Sequence, residues 1–366
     1  MKKDVMKIGI IGCGNISACY LGNLGKSPLV RVDAVADLIR EKAAEQALKF
    51  KIPRVLGPDE LLKDKNIDLV LNLTIPAVHG KVALAALRNN KHVYNEKPLA
   101  AELREARDMV ALARKKKLRI GCAPDTVLGG GWQFVRKQVD SGILGTITGG
   151  TGFLIGRGPE KWHPSPEFFF KKGAGPLFDM GPYYLTALVM LLGPVKKVSA
   201  TAKITYPVRT IMSAPLRGKK IKVETPTHVC ALLEFASGPA ITLTVSFDGV
   251  TPGLPNLELF GEKGCLRLLD PNQFSGTPVL LDLEKETRFN KFNEPFQSNF
   301  RGLGIVDMVM GIHENRPHRA NGDLALHVLE VMHGILESAR RRRTLSISSD
   351  CERPKLLPAS AVKWMA

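Results

Sequence analysis

The feature that most constrains the fold is a glycine turn set between an apolar run and a segment able to form a helix. Ile8-Gly9-Ile10-Ile11 leads into Gly12-x-Gly14-x-x-Ser17, and residues 16–24 suit a helix. Strand, tight turn and helix in that order make a dinucleotide site. The first glycine permits the turn, the second lets main-chain amides approach a pyrophosphate, and the helix N-terminus offers positive partial charge to the anion. Gly12, Gly14, Asn15 and Ile16 are the candidate contacts. Ser17 stands where a third glycine is usual, so the helix must pack on the strand with a small side chain between them. Residues 32–37 read as a second strand ending in Asp37, at roughly the ~20-residue distance expected of a ribose-binding carboxylate. That carboxylate faces a 2′-phosphate with like charge, which favours NAD over NADP. Arg40 is either a partner for such a phosphate or a solvated helix residue.

Apolar runs at 7–11, 30–36, 69–73, 92–95 and 118–122 alternate with amphipathic segments, which predicts a parallel sheet of the Rossmann kind over residues 1–123. At 122–125 the pattern changes. Gly129-Gly130-Gly131 opens a helix over 132–140 and reads as a domain-joining turn, with a second phosphate loop as the alternative. Alternating strands follow at 146–155, 195–206, 228–235, 240–247, 256–260 and 265–269, with 207–225 expected as a loop. Helices at 303–314 and 323–339 then return toward the first domain. The predicted class is α/β: an N-terminal Rossmann domain, then an α+β domain over 124–366 with an open-faced, mainly antiparallel sheet. An exposed apolar sheet face predicts a homodimer or homotetramer.

The chain of 366 residues, 44% hydrophobic, is long enough for two cores. Its six cysteines form no Cys-x-x-Cys pair, which points to free thiols, a reducing compartment and a cytoplasmic location. The Met1-Lys2-Lys3 start resembles a secretory leader only superficially, because the apolar run behind it already carries the glycine turn. No stretch reaches the ~20 apolar residues that span a bilayer. The net charge of +17 and the run Arg340 to Arg343 raise nucleic-acid binding, but no reader motif accompanies them. The arginines instead suit the carbonyl end of a helix, and the excess charge helps to draw in an anionic dinucleotide. No histidine spacing suits a metal, so no metal cofactor is expected.

Two further stretches carry chemistry. His92-Val93-Tyr94-Asn95-Glu96-Lys97-Pro98-Leu99 ends a strand with a lysine where a nicotinamide ring would lie. The segment Gly173 to Tyr184 opens a helix on which Asp179 and Tyr183 stand four residues apart, one turn apart on one face if both are helical. Alternatively, Asp179 is an N-cap and Tyr183 an interface aromatic.

The ordered set Gly12-x-Gly14-x-x-Ser17, Asp37, Thr74-Ile75-Pro76-x-x-His79, Glu96-Lys97-Pro98 and Asp179-x-Gly181-x-Tyr183 resembles the Gfo/Idh/MocA oxidoreductases along nearly the whole chain. The resemblance implies that Lys97 lies beside nicotinamide and substrate hydroxyl, that Tyr183 donates or accepts the proton with Asp179 in the catalytic set, and that Thr74, His79 and Glu96 contribute to the cofactor site. Many members carry histidine where this chain has Tyr183, and a second aspartate where it has Thr186. The Asp125-Thr126 turn replaces a more usual arginine-containing one, which makes Asp125 a candidate substrate contact. In Lys161-Trp162-His163-Pro164, Trp162 is a candidate stacking surface and His163 a candidate sugar contact or a plain loop histidine.

Hydride transfer from a secondary alcohol leaves a proton to be taken up. Lys97 and Tyr183 can share it, because a cation within ~4 to 6 Å stabilises a phenolate. Glu96 either orients the lysine or makes a structural salt bridge. The expected activity is NAD-dependent dehydrogenation of a sugar, inositol or glycoside. The alternatives are a redox-neutral eliminating enzyme of the same family and a non-catalytic sugar-sensing regulator.

Overall fold

The computed structural model describes residues 5–250 and 253–365, so the Met1-Lys2-Lys3 start lies outside the described residues. The elements run β1 (Met6–Ile11), α1 (Ser17–Leu24), β2 (Val30–Ala36), α2 (Arg40–Phe50), β3 (Val55–Leu56), α3 (Pro58–Lys63), β4 (Leu69–Asn72), α4 (Pro76–Arg88), β5 (His92–Asn95), α5 (Leu103–Lys115) and β6 (Ile120–Cys122). There follow α6 (Gly130–Asp140), β7 (Ile147–Ile155), α7 (Gly175–Leu192), β8 (Val195–Lys203), β9 (Val208–Thr210), β10 (Lys220–Lys222), β11 (His228–Phe235), β12 (Ala240–Ser246), β13 (Leu257–Gly261), β14 (Gly264–Arg267), β15 (Val279–Leu281) and β16 (Glu286–Arg288). The chain closes with α8 (Leu303–His313), α9 (Gly322–Arg341) and β17 (Leu345–Ser346).

Contacts divide the chain into two compact units. The first takes in the described residues up to Gly130, Pro295–Leu326, and the described residues from Pro354 on; the second is Gly131–Glu294 with His327–Arg353. The first unit is drawn from three stretches of the chain, and buried polar contacts within it tie them together. Asp307, fully buried on α8, pairs with Arg319, whose guanidinium also donates to the Lys355 and Leu356 carbonyls. Ser27 Oγ donates to the Trp364 carbonyl at 2.6 Å, so the C-terminal segment is held to the Rossmann core. The boundary falls inside the glycine triplet: Gly130 N donates to Phe296 O and Gly131 N to Phe274 O. Those amides are spent on main-chain partners, as a joining turn requires and a phosphate loop does not.

In the first unit six parallel strands are ordered β3-β2-β1-β4-β5-β6. Their apolar runs are buried from both faces, as a doubly covered parallel sheet demands. In the second unit nine strands are ordered β16-β15-β14-β13-β7-β12-β11-β8-β17, antiparallel except for β7 against β12. α7 is apolar nearly all round and packs on this sheet through β7, β11 and β12. The stretch 207–225, expected as a loop, instead carries the β9–β10 ribbon, which backs a small cluster of Phe169, Phe170, Ile211, Ile221, Val223 and Phe247.

The other sheet face carries a broad groove of about 1000 Å³ lined by Ser199, Thr201, Leu232, Thr242 and Thr244, with Arg342 and Arg343 beside them. Ala200, Ala202, Cys230 and Ala231 also line it, so small apolar side chains and hydroxyls are mixed on this face. The arginine run follows its expected role in part: Arg340 and Arg341 pair with Glu337 in the last turns of α9. Among the described residues no helix is long and apolar enough to cross a membrane, and all six cysteines are free.

Candidate active site

The glycine turn follows β1 as its sequence requires. Gly12 has φ +103°, and a Cβ there would lie 2.6 Å from the Leu73 carbonyl carbon and oxygen, so no other residue fits without moving that strand end. A Cβ on Gly14 would meet nothing within 4 Å, which leaves the turn open above the helix N-terminus. This is a cradle that suits a pyrophosphate. Asn15 is exposed and Ile16 half-buried at the start of α1. Ser17 is fully buried, and its hydroxyl donates to the Gly14 carbonyl at 2.6 Å, so the serine locks the turn that a glycine would only permit.

Asp37 closes this turn. Its Oδ2 accepts from Cys13 N at 2.7 Å and its Oδ1 from Ile39 N at 2.9 Å. Each oxygen keeps a further lone pair and the residue is half-buried, so the carboxylate can still accept from a ribose. Arg40 directs its guanidinium to the Val55 carbonyl at 3.4 Å. Burial, with Asp37 adding to it, pushes the Cys13 thiol up to about 12 and keeps it protonated.

The ends of β4 and β5 carry a buried polar lattice. Asn72 and Asn95 are directly opposite in the parallel register and fully buried. Asn72 Nδ2 donates to Asn95 Oδ1 at 3.1 Å and to the His79 carbonyl at 3.2 Å. Asn72 Oδ1 accepts from the Thr74 hydroxyl at 2.6 Å, and Asn95 Nδ2 donates to the Leu99 carbonyl at 2.8 Å.

His79 corrects an expectation. It is fully buried, with Nδ1 2.7 Å from the Pro98 carbonyl and Nε2 3.0 Å from the Thr74 carbonyl. Both ring nitrogens are turned to main-chain carbonyls, between the Pro98 and Thr74 turns. Burial pushes its pKa down, opposed by those two carbonyls.

Glu96 acts through the main chain of Lys97: Oε2 accepts from Lys97 N at 2.9 Å, while Oε1 accepts from the Tyr20 hydroxyl at 2.7 Å. Lys97 itself is half-buried, and its bond to Pro98 is cis.

Asp125 is a second correction. It is 1% exposed, and its Oδ2 accepts from Gly302 N at 2.8 Å and Gly304 N at 2.9 Å. It caps α8 from a distant turn, where the orphan amides of a helix start need an acceptor, and it is closed off from any substrate. Burial pushes its carboxyl up to about 6, against the pull of the two amides and Arg301.

In the second unit α7 begins at Gly175, so Asp179 lies inside the helix and is not its N-cap. Asp179 and Tyr183 are one turn apart, Asp179 half-buried and Tyr183 7% exposed. Gly181 between them allows close approach to Met332 on α9, and Phe178 meets His333 edge-on at 5.1 Å. Thr186, at the position of the missing aspartate, is buried.

Trp162 is 66% exposed and meets His163 edge-on at 5.4 Å. His163 Nδ1 accepts from Ser165 N at 3.0 Å, and its ring lies 5.3 Å from Phe168 and from Phe169. Beneath this aromatic platform Glu160 and Asp248 both pair with Arg209, all three buried. Arg209 also lies over Phe170 and Tyr206. The Met212 amide and Ser213 hydroxyl bind the Glu160 and His163 carbonyls, so the platform's loop is tied to the arm after β9.

Residues 6–123 match the family model described as oxidoreductase family, NAD-binding Rossmann fold, and residues 132–267 match the GFO/IDH/MocA C-terminal domain. A dTDP-3,4-didehydro-2,6-dideoxy-alpha-D-glucose 3-reductase of Streptomyces violaceoruber is 30% identical over 239 residues, 65% of this chain and 68% of that protein. The chain belongs to the Gfo/Idh/MocA oxidoreductase family. Other similar proteins include a myo-inositol 2-dehydrogenase of Thermotoga maritima, 22% identical over 347 residues, 93% of this chain and 98% of that one. A solved levoglucosan dehydrogenase in complex with NADH and levoglucosan shares the fold, with a TM-score of 0.82 at 19% identity over 94% of this chain and 100% of that one.

Within its first unit this Gfo/Idh/MocA chain gathers Thr74, His79, Glu96 and Lys97 into one lattice and joins Asp37 to the glycine turn. Within the second, Asp179 and Tyr183 share α7, and Trp162 and His163 share a loop. Asn72, Asn95 and the Glu160–Arg209–Asp248 triad were missed in the sequence. The asparagines carried a signal, a polar residue ending each of two apolar strands, but their pairing needs the register. The triad's members are far apart in sequence and leave no local mark.

Proposed function

We propose that this Gfo/Idh/MocA protein moves a hydride between NAD, in preference to NADP, and a secondary hydroxyl of a sugar, inositol or glycoside. What carries the reading is Lys97, half-buried on a tightly held turn at the carboxyl end of β5, in the sheet whose β1 end bears the Gly12–Gly14 turn. Ligands of open parallel sheets bind at the carboxyl ends of the strands. The relatives named for inositol and levoglucosan support the substrate class.

In this reading the amides of residues 12–16 bind the pyrophosphate, Asp37 accepts from the ribose, and Thr74 lines the same edge. The dinucleotide, when bound, supplies the hydride acceptor. Lys97 holds the reacting oxygen and Tyr183 takes the proton as the alcohol becomes a ketone. A cation within about 4 to 6 Å makes a phenol a competent base, the part the reading gives to Lys97, and Asp179, one turn before Tyr183 on α7, belongs to the same catalytic set. Trp162 stacks on the sugar ring and His163 hydrogen-bonds a hydroxyl. The open sheet face, where Ala200, Ala202, Ala231 and Leu232 are set among hydroxyls, meets a second copy of the chain, giving a homodimer or homotetramer, and the free thiols suit a cytoplasmic location.

A screen of NADH formation with myo-inositol, levoglucosan and D-glucose tests the activity, and one NADH per substrate consumed separates it from redox-neutral chemistry. Lys97→Met and Tyr183→Phe should each lower kcat by roughly 10² to 10⁴. The double variant should lose much less than the product of the two. Single variants that each keep more than about a third of wild-type kcat would overturn the assignment. Asp37→Ser should shift the kcat/KM ratio toward NADP; a tenfold NADP preference in the wild type would refute the cofactor reading. Light scattering at micromolar concentration reads the assembly, and a stable monomer counts against it.

A further inference from the structure

We infer that His79 is a positioning residue for hydride transfer, fixing Lys97 by holding the Pro98 carbonyl through Nδ1 while its ring is packed against the Thr74 turn. The inference rests on the reading of Lys97 given above. His79 sits in the first turn of α4, fully buried, and its own carbonyl is held by Asn72. The Glu96-Lys97-Pro98 turn is therefore fastened at three main-chain points. Glu96 takes the Lys97 amide, His79 Nδ1 takes the Pro98 carbonyl, and Asn95 takes the Leu99 carbonyl. The Thr74 turn is fastened by Asn72, and the His79 ring packs against it with Nε2 3.0 Å from the Thr74 carbonyl. His79 is the one side chain in this set that touches both turns.

The two contacts are not equivalent. Both partners are carbonyl oxygens, which only accept, so a neutral imidazole hydrogen-bonds one of them; we assign its single N–H to Nδ1, 2.7 Å from the Pro98 carbonyl, and Nε2 then lies 3.0 Å from the Thr74 carbonyl without a hydrogen bond. The carbonyl of the residue that follows directly on Lys97 thus receives the imidazole's one hydrogen bond. A lysine has four rotatable side-chain bonds, so a turn left free to shift would spread the ammonium over positions that a proton transfer cannot use.

This asymmetry gives the test. Asparagine carries its amide nitrogen at the Nδ1 distance from Cα, glutamine at the Nε2 distance, and phenylalanine fills the volume with no donor. His79→Phe and His79→Gln should lower kcat by about tenfold, the equivalent of one hydrogen bond, with the NADH dissociation constant changed by less than about threefold. His79→Asn should recover most of the loss. The pH profile of kcat should broaden or shift in the phenylalanine and glutamine variants and keep its wild-type form with asparagine. The assay is NADH formation on whichever of myo-inositol, levoglucosan or D-glucose the wild type oxidises, with NADH binding followed by fluorescence. Wild-type kcat in the phenylalanine or glutamine variant, or asparagine no better than glutamine, would overturn the inference. Should phenylalanine prevent folding, the asparagine and glutamine pair still decides. Retained turnover in Lys97→Met would instead overturn the reading on which it rests.

Discussion

Asp125 gives the protein a pH dependence of stability that can be worked from the structure. The carboxyl is 1% exposed and is pushed up to about 6, whereas in an unfolded chain it titrates near ~3.9. The folded state therefore binds more protons than the unfolded state between about pH 4 and 6, and stability from this group falls as pH rises through that window. A difference of about two pH units at ~1.4 kcal/mol each makes about 3 kcal/mol in all, of which about 2 kcal/mol falls between about pH 4.5 and 7.5. Asp125→Asn keeps an acceptor for the Gly302 and Gly304 amides but cannot ionise. Urea unfolding of both proteins, followed by tryptophan fluorescence across this range, gives the stability difference at each pH. Other acids titrate equally in the two proteins and cancel. The wild type should lose about 2 kcal/mol relative to Asp125→Asn on going from acid to neutral pH. A difference that stays flat, or rises with pH, would refute the account of Asp125 as a buried cap.

Gly12→Ala should destabilise the fold by several kcal/mol, since it combines a positive φ with a Cβ inside the Leu73 carbonyl, and thermal melting would read this. Gly14→Ala should melt within about 2 °C of the wild type while weakening NADH binding at least tenfold, because its Cβ points into open space that the pyrophosphate needs. Arg209→Met leaves the Glu160 and Asp248 carboxylates buried without their cation and should cost about 3 to 5 kcal/mol. The same variant should raise the KM for the sugar more than it lowers kcat, since it loosens the loop bearing Trp162; the reverse pattern would remove that loop from substrate binding.

The sequence alone determined the N-terminal domain and its cofactor class. A glycine turn, an apolar run and a helix are read within about twenty residues, and parallel strands buried on both faces announce themselves as short apolar runs. It also set Asp179 and Tyr183 at helical spacing, because spacing is a local property, but left Asp179 open as an N-cap until α7 proved to start at Gly175. What it could not reach were the meanings of polar residues whose partners are far away. Asp125 looked like a substrate contact until its amide partners proved to lie 177 and 179 residues along the chain. His79 looked like a cofactor contact until the turns on either side of it closed over both ring nitrogens. The β9–β10 ribbon went unread because each strand is only three residues long and draws its stability from the Phe170 and Phe247 cluster beneath it. Local periodicity and turn chemistry are written in neighbouring residues, whereas desolvation and strand register exist only once distant segments meet, and that meeting decided which of the polar side chains serve the site and which serve the fold.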